Sequence, residues 1–136
     1  MQISSSNDNH SATLFDQLGG ETGLRRLVDA FYDRMDRDTR FAGVRALHPE
    51  SLSGSRDKFY WFLCGWSGGP DLFVQRFGHP RLRARHLPFT IGESERDQWL
   101  GCMQDAVAEV GIDGPLARRL TSSFFQTADW MRNQPG

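Results

Sequence analysis

A histidine lies in a short segment that prolines bound on both sides, and this segment limits how the chain can fold. It reads Gly78-His79-Pro80-Arg81-Leu82-Arg83-Ala84-Arg85-His86-Leu87-Pro88-Phe89. Pro80 is predicted to open a helix, because the first helical residue has no use for its amide proton. Pro88 disfavours the helical conformation of the residue before it, so the helix is expected to end near Leu87. About two turns remain, and they place the His86 imidazole where one ring nitrogen can donate to a carbonyl while the other coordinates a metal.

Apolar residues recur every three to four positions along most of the remaining chain, which is the spacing of amphipathic helices. No period-two alternation appears, so the fold class is predicted to be all-α. Two short helical turns are predicted at residues 13–18 and 71–77, and an irregular connection at residues 36–50. Four long helices are predicted, and the first two span residues 21–36 and 51–66. The third begins at a capping box formed by Thr90 and Glu93 and ends at Gly111, and the fourth starts at Asp113 with Pro115.

Length and composition indicate one domain with no nucleic-acid or membrane partner. The 136 residues carry a net charge of -1. Residues 1–12 are predicted to be a disordered polar tail that includes His10, and residues 13–136 are predicted to form a single domain. No apolar stretch reaches the roughly 20 residues that a membrane-spanning helix needs, and no signal peptide is recognisable, so a cytoplasmic location is expected. Cys64 and Cys102 form no metal or redox motif and are predicted to be small buried groups.

Four polar side chains set into apolar surroundings are the candidate functional residues: Tyr32, His48, His86 and Trp99. Each alone has an ordinary interpretation as a core, turn or surface residue. Together with ten Phe, four Trp and two Tyr, they favour a planar apolar macrocycle, because a bare zinc or iron needs three or four protein ligands and the sequence offers no such cluster. Haem asks the protein for one axial histidine. Lys58 and Arg85 are candidates to pair with its propionates, if they are not simply part of a solvated face.

The order of these motifs resembles the group II truncated haemoglobins over residues 13–133. The matching segments are Phe31-Tyr32, His48-Pro49, Gly68-Gly69-Pro70, the proline-bounded residues 78–89, and Glu95-Arg96-Asp97-Gln98-Trp99-Leu100. This resemblance implies a truncated globin fold, which is a two-over-two helical sandwich around one haem b.

The resemblance also implies a role for each matched residue. His86 aligns with the proximal iron ligand, and Tyr32 and His48 align with distal positions that hydrogen-bond a gas ligand. Trp99 aligns with the tryptophan that marks this group and adds an indole donor. The residues assigned to the cofactor pocket are Ser55, where vertebrate globins place a distal histidine, with Lys58, Phe59, Phe62, Arg85, Phe89 and Met103.

The implied function is binding of dioxygen and other diatomic ligands, such as nitric oxide or carbon monoxide, at a histidine-ligated iron. Distal donors are expected to slow dioxygen release, which argues against bulk oxygen transport. It favours ligand or redox chemistry, such as nitric oxide detoxification or peroxidase-like activity, for which a separate electron donor is needed. Oxygen storage or gas sensing without turnover is the alternative, so the sequence does not decide whether the chain is an enzyme. A haem-free helical interaction domain is the competing hypothesis from another class.

Overall fold

All regular structure that the computed structural model describes, in residues 12–135, is helical, which confirms the predicted all-α class. The predicted tail, with His10, lies outside these residues except for Ala12. The elements are α1 (Leu14–Gln17), α2 (Gly20–Arg37), a 3₁₀ turn (Thr39–Phe41), α3 (Ala42–Arg45), α4 (Ser53–Trp66), α5 (Leu72–Phe77), α6 (Leu82–His86), α7 (Glu93–Glu109) and α8 (Gly114–Trp130).

The long helix α2 is the centre of the packing. Its buried face consists of the residues that the sequence spacing predicts, namely Leu24, Leu27, Val28, Phe31 and Met35. α2 packs against both α4 and α7, and α7 packs against α8. The four long helices therefore form two pairs, α2 with α4 and α7 with α8, which share one hydrophobic core.

Arginine–carboxylate pairs tie the long helices together at their polar edges. Arg56 of α4 reaches Asp33 at 2.6 Å and Asp29 at 3.1 Å, both on α2. Arg96 of α7 reaches Asp129 of α8 at 2.8 Å. Such contacts add little stability at a surface, but their directional geometry restricts how the paired helices can slide.

The short helix α6 begins two residues later than the proline suggests. Arg81, which follows Pro80, has a φ of +47°, in the left-handed region, and cannot be a helical residue. Its amide donates to Nδ1 of His79 at 3.1 Å, so the His79 side chain holds this turn. The prediction that Pro80 opens the helix is therefore wrong, and α6 is a single turn and a half that ends at His86.

The start of α7 also differs from the predicted capping box. The helix begins at Glu93, and Oε1 of Glu95 accepts the Gly92 amide proton at 2.7 Å. The carboxylate that returns to the helix start is thus Glu95, two residues beyond the predicted Glu93. Thr90 lies before the helix and takes no part in this cap.

Residues 36–50 are more regular than predicted. The Asp38 carboxylate accepts the Arg40 amide at 2.9 Å and caps the 3₁₀ turn, which continues into α3. Phe41 and Val44 are buried from these short helices, so tertiary packing stabilises turns that the mixed charge of the sequence does not suggest.

Both cysteines are buried and free, as predicted. Burial raises the pKa of the Cys102 thiol to about 12, and its Sγ donates to the Phe31 carbonyl at 3.2 Å. Among the described residues, no helix has the length and apolar character needed to cross a membrane.

Candidate functional site

His86 is the last residue of α6 and is half-buried. Its Nδ1 lies 2.6 Å from the Leu82 carbonyl, one helical turn earlier. A carbonyl oxygen can only accept, so Nδ1 carries the proton and donates it. In the neutral ring, Nε2 then holds a free lone pair, which is the state that a metal ligand requires.

The loop after His86 is held by a side chain from beyond the end of α8. Nδ2 of Asn133 donates to the Phe89 carbonyl at 2.7 Å and to the His86 carbonyl at 3.3 Å. Oδ1 of Asn133 accepts the Ile91 amide at 3.0 Å, and the Asn133 amide donates to the Ile91 carbonyl at 2.8 Å. One amide side chain therefore fixes the segment that carries the histidine.

Replacing Asn133 with alanine is expected to lower the free energy of unfolding by about 1 to 2 kcal/mol, because it removes hydrogen bonds from three backbone groups. Haem transfer to apomyoglobin should also become several times faster, since His86 loses its support. Gln134→Ala is the matched control, because that side chain is exposed. Equal effects of the two substitutions would show that the Asn133 side chain does not hold this segment.

Tyr32 lies on α2 and is only 5% exposed. Burial raises the pKa of its hydroxyl, so the group keeps its proton throughout the physiological range. Its ring packs edge-on against Phe31 at 4.9 Å between centroids, against His48 at 5.7 Å and against Phe59 at 6.0 Å. A protonated phenol fixed in this way can donate a hydrogen bond without rearrangement.

His48 follows α3 and is also held through Nδ1, which lies 2.9 Å from the Val44 carbonyl. Burial lowers the pKa of His48, and the charges of Arg45 and His86 add to this effect, although the hydrogen bond to Val44 opposes it. At neutral pH the ring is therefore uncharged, with its proton on Nδ1. Its free Nε2 is then an acceptor, whereas the sequence resemblance suggests a donor at this position.

Trp99 lies at the centre of an aromatic wall formed by three helices. Its ring centroid is 5.2 Å from that of Phe31, 5.6 Å from that of Phe124 and 6.0 Å from that of Phe59. Edge-to-face contacts of this kind restrict a ring to one orientation. Tyr32, His48, Phe59 and Trp99 are thus brought together, while their roles towards a gas ligand stay a prediction.

The remaining residues assigned to the cofactor pocket differ in their contacts and in their burial. Phe59 joins Tyr32 to Trp99, while Phe62 faces a second cluster through Phe73, with ring centroids 6.4 Å apart. Ser55 is half-buried and Phe89 is exposed, whereas Met103 is buried in the helical core. Their assignment to a cofactor pocket stays a prediction.

The two predicted rim cations lie over neighbouring aromatic rings. Lys58 Nζ is 5.9 Å from the Phe77 ring centroid, and Arg85 Cζ is 5.2 Å from that of Phe73. The Phe73 and Phe77 centroids are 4.9 Å apart, so both cations converge on one edge of the molecule. Arg85 Nε also donates to the Pro80 carbonyl at 2.6 Å, which fixes its guanidinium.

An open cleft of about 560 Å³ lies between the end of α4, the start of α6 and the end of α8. Neither His86 nor the distal residues Tyr32, His48 and Trp99 line it; its walls are Phe62, Trp66, His79, Pro80, Arg81, Leu82, Gln126, Thr127, Trp130 and Met131. Leu82 connects the cleft to His86, because its carbonyl accepts the His86 ring proton.

Two supporting residues are not evident from the sequence. Gln98 Oε1 accepts the Val44 amide at 3.0 Å, so the residue before Trp99 anchors the helix that positions His48. The Arg56 guanidinium lies 5.9 Å from the Tyr32 ring centroid while it pairs with Asp29 and Asp33. The spacing of Asp29 and Asp33, either side of Tyr32 on α2, is the only sequence signal for this arrangement.

The donor set fits a haem better than a bare ion. Within residues 12–135, no group of three or more His, Cys, Asp or Glu side chains could hold a metal ion. A single histidine with a fixed tautomer, aromatic side chains and two cations at one edge are the features that a propionate-bearing macrocycle requires. Lys58 and Arg85 would meet the propionates, and His86 Nε2 the iron.

Comparisons with known proteins agree with this arrangement. Residues 13–133 match the family model of the bacterial-like globins. The chain is 40% identical over 115 residues to the group 2 truncated hemoglobin YjbI of Bacillus subtilis, covering 85% of each chain.

Solved structures match over almost the whole chain. A cold-adapted truncated hemoglobin from the Antarctic bacterium Pseudoalteromonas haloplanktis has a TM-score of 0.87 and 43% identity, covering 90% of this chain and 98% of that one. A group II 2-on-2 hemoglobin from Agrobacterium tumefaciens has a TM-score of 0.87 and 40% identity, covering 91% and 96%. The predicted two-over-two globin fold is confirmed, and globins are haem-based gas-binding proteins. The chain belongs to the bacterial-like globin family, as a group II truncated haemoglobin.

Proposed function

We propose that this chain binds one haem b through His86 Nε2 and retains dioxygen long enough for chemistry on the ligand. When bound, the haem supplies a ferrous iron that takes up diatomic gases reversibly. The observation that carries the proposal is the His86 imidazole fixed through its Nδ1, together with the buried Tyr32 phenol, which packs against the equally fixed His48 ring. A relative from Bacillus subtilis, described as an oxygen-avid truncated haemoglobin, is 37% identical to this chain with a TM-score of 0.80 and supports the retention of dioxygen.

The distal residues differ in whether they donate or accept hydrogen bonds. Tyr32 and Trp99 are donors at neutral pH, because the phenol keeps its proton and an indole can only donate. His48 takes the role of acceptor, because the Val44 carbonyl holds its Nδ1 proton and leaves a lone pair on Nε2. Two donors of about 1 to 2 kcal/mol each would slow dioxygen release by roughly 30- to 1000-fold.

Slow release favours conversion of nitric oxide to nitrate, or peroxidase-like oxidation, over oxygen delivery. The aromatic rings around Trp99 provide an apolar surrounding, in which a hydrogen bond is stronger than in water. Turnover of either kind also needs a source of electrons, and we propose that a separate donor protein supplies them.

The proposal is tested by reconstituting the protein with haem and following nitric oxide consumption by the oxygenated form in the presence of a reductant. A Soret band typical of five-coordinate ferrous haem, slow dioxygen release and stoichiometric nitrate formation are expected. Dioxygen binding without nitric oxide or peroxide turnover would replace this function with oxygen storage or gas sensing. Failure to take up haem would favour the helical interaction domain instead.

The buried His48 predicts a pH dependence of stability with a defined sign. Burial holds its folded pKa below the usual 6.5, so the unfolded chain binds this proton more readily. The free energy of unfolding should therefore fall as pH drops from above 6.5 through the folded pKa of His48. His48→Gln, which cannot titrate, should show a shallower decline in chemical denaturation between pH 7.5 and 5. Identical slopes for both proteins would contradict the buried neutral imidazole.

A further inference from the structure

We propose that a basic face formed by α4, α5, α6 and the segment between α5 and α6 docks an acidic one-electron carrier protein. The basic face consists of Lys58, Arg76, Arg81, Arg83 and Arg85. This inference rests on the proposed haem function, since it assigns the surface through which the separate electron donor acts.

The charges of the chain are unevenly distributed along the sequence. Residues 72–92 contain four arginines and no aspartate or glutamate. The whole chain has 16 Lys and Arg against 17 Asp and Glu, so 12 cations face 17 carboxylates in the remainder. A protein that is nearly neutral overall therefore concentrates positive charge around the helix that carries His86.

The cations of the basic face also differ from most of the other arginines in their partners. Elsewhere, seven arginines pair with carboxylates within 4.0 Å: Arg25, Arg34, Arg40, Arg45, Arg56, Arg96 and Arg132. Within the described residues, no member of the basic face forms such a pair. Since Lys58 and Arg85 are assigned to the haem propionates, Arg76, Arg81 and Arg83 are the cations open to a carboxylate on a partner protein.

Aromatic rings hold most of these cations in place. Arg76 Cζ lies 4.3 Å from the centroid of Trp61, and Arg83 Cζ lies 5.5 Å from that of Trp130. Together with Lys58 and Arg85 over their own rings, four of the five cations are supported in this way. Arg76 and Arg85 each also donate one N–H to a backbone carbonyl, which leaves their other N–H groups for a carboxylate. A guanidinium held in this way has less conformational entropy left to lose on binding.

Exposed apolar side chains accompany these charges. Val74 is 42% exposed, Phe77 43% and Leu87 57%. Apolar side chains bordered by arginines are typical of protein–protein interfaces, in which the charges speed association and orient the partner. α5 has six residues and α6 five, so neither forms the long amphipathic face with which a helix lies in a membrane surface.

The position of the basic face indicates what kind of acidic protein binds. Arg83 and Arg85 belong to the same short helix as His86, so a partner docked there approaches the proposed iron site at its proximal edge. The reduced carrier loses one electron and the ferric protein gains one to become ferrous, with no bond made or broken and no proton transferred. Charge pairing of this kind suits a brief encounter that must dissociate after transfer.

The test measures binding as well as electron transfer. The haem-loaded, carbon monoxide form of the ¹⁵N-labelled protein is titrated with oxidised plant-type two-iron ferredoxin and with a flavodoxin, both acidic carriers, at about 50 and 300 mM salt. Chemical-shift changes should map to residues of α5 and α6. Arg76→Glu/Arg81→Glu should weaken binding at low salt at least about tenfold, with a similar fall in the second-order rate of ferric reduction.

Arg118→Glu/Arg119→Glu is the matched control, because it reverses two exposed charges on α8 and should change affinity less than about twofold. Equal losses in both double variants, shift changes on another face, or no binding of either carrier would overturn the docking site. Charge-dependent binding to phosphatidylglycerol vesicles without carrier binding would also overturn the docking site, and would assign the surface to a membrane.

If Arg76→Glu/Arg81→Glu keeps the Soret band and carbon monoxide kinetics of the unmodified protein, failure of docking leaves the proposed haem function standing. If the unmodified chain takes up no haem, both proposals fail.

Discussion

Replacing His86 with glycine is expected to abolish the five-coordinate ferrous spectrum of the haem-loaded protein. The substitution removes the imidazole whose Nδ1 is held by the Leu82 carbonyl of the same short helix, and glycine leaves a space of the right shape for free imidazole. Adding millimolar imidazole should restore the spectrum, because the small molecule can occupy the same position. Ultraviolet–visible titration of the reconstituted variant measures both effects.

His79→Gly is the appropriate control for this substitution. His79 is exposed on the segment before α6, and its Nδ1 accepts the Arg81 amide, so it is occupied in the local turn. The control should keep the spectrum of the unmodified protein. An unaltered spectrum in the His86 variant would remove that residue from the iron, and loss of the spectrum in His79→Gly instead would transfer the ligand assignment to that residue.

Replacing Trp99 with phenylalanine is expected to speed dioxygen release by about tenfold, which corresponds to a hydrogen bond of roughly 1.4 kcal/mol. Phenylalanine keeps an aromatic ring among Phe31, Phe59 and Phe124, so packing is largely preserved while the indole donor is lost. Stopped-flow replacement of dioxygen by carbon monoxide measures the rate.

Trp61→Phe serves as the control for the loss of an indole. Trp61 packs against Phe77 and Arg76 on the surface formed by α4 and α5, away from the aromatic wall around Trp99. Its dioxygen release should match that of the unmodified protein. Were Trp99→Phe to release dioxygen at the unmodified rate, the retention would have to come from Tyr32 alone.

The sequence predicts the helices well where periodicity is strong. The α2 stripe from Leu24 to Met35 is buried as expected, because a two-sided amphipathic helix has only one way to face a core. The predicted helix ends are less accurate than the predicted helices, since each end depends on only one or two residues. The Arg81 backbone and the Glu95 carboxylate set the starts of α6 and α7, and competing local signals at Pro80 and Thr90 point elsewhere.

In the candidate site, too, the sequence predicts which residues take part better than it predicts their contacts. The identity of His86, Tyr32 and Trp99 follows from the motif order, but the contact between Asn133 and Ile91 spans 42 residues and the one between Gln98 and Val44 spans 54. Local pattern carries no information about contacts at such separations. The proposed acceptor role of His48 depends on the Val44 carbonyl, in a connection that the sequence predicts to be irregular, so the sequence contains no signal for it.

The double hydrogen bond between Ile91 and Asn133 makes the residues directly after α8 and the segment that follows His86 a single cooperative unit. The Gln134 amide also donates to the Ile91 carbonyl, so three backbone amides at this junction share one opening event. Hydrogen exchange at residues 91, 133 and 134 should therefore proceed at one common rate, and fraying of α8 and loss of support for His86 become the same fluctuation. Thermal motion at the end of the last helix would in this way set how long the chain keeps its haem.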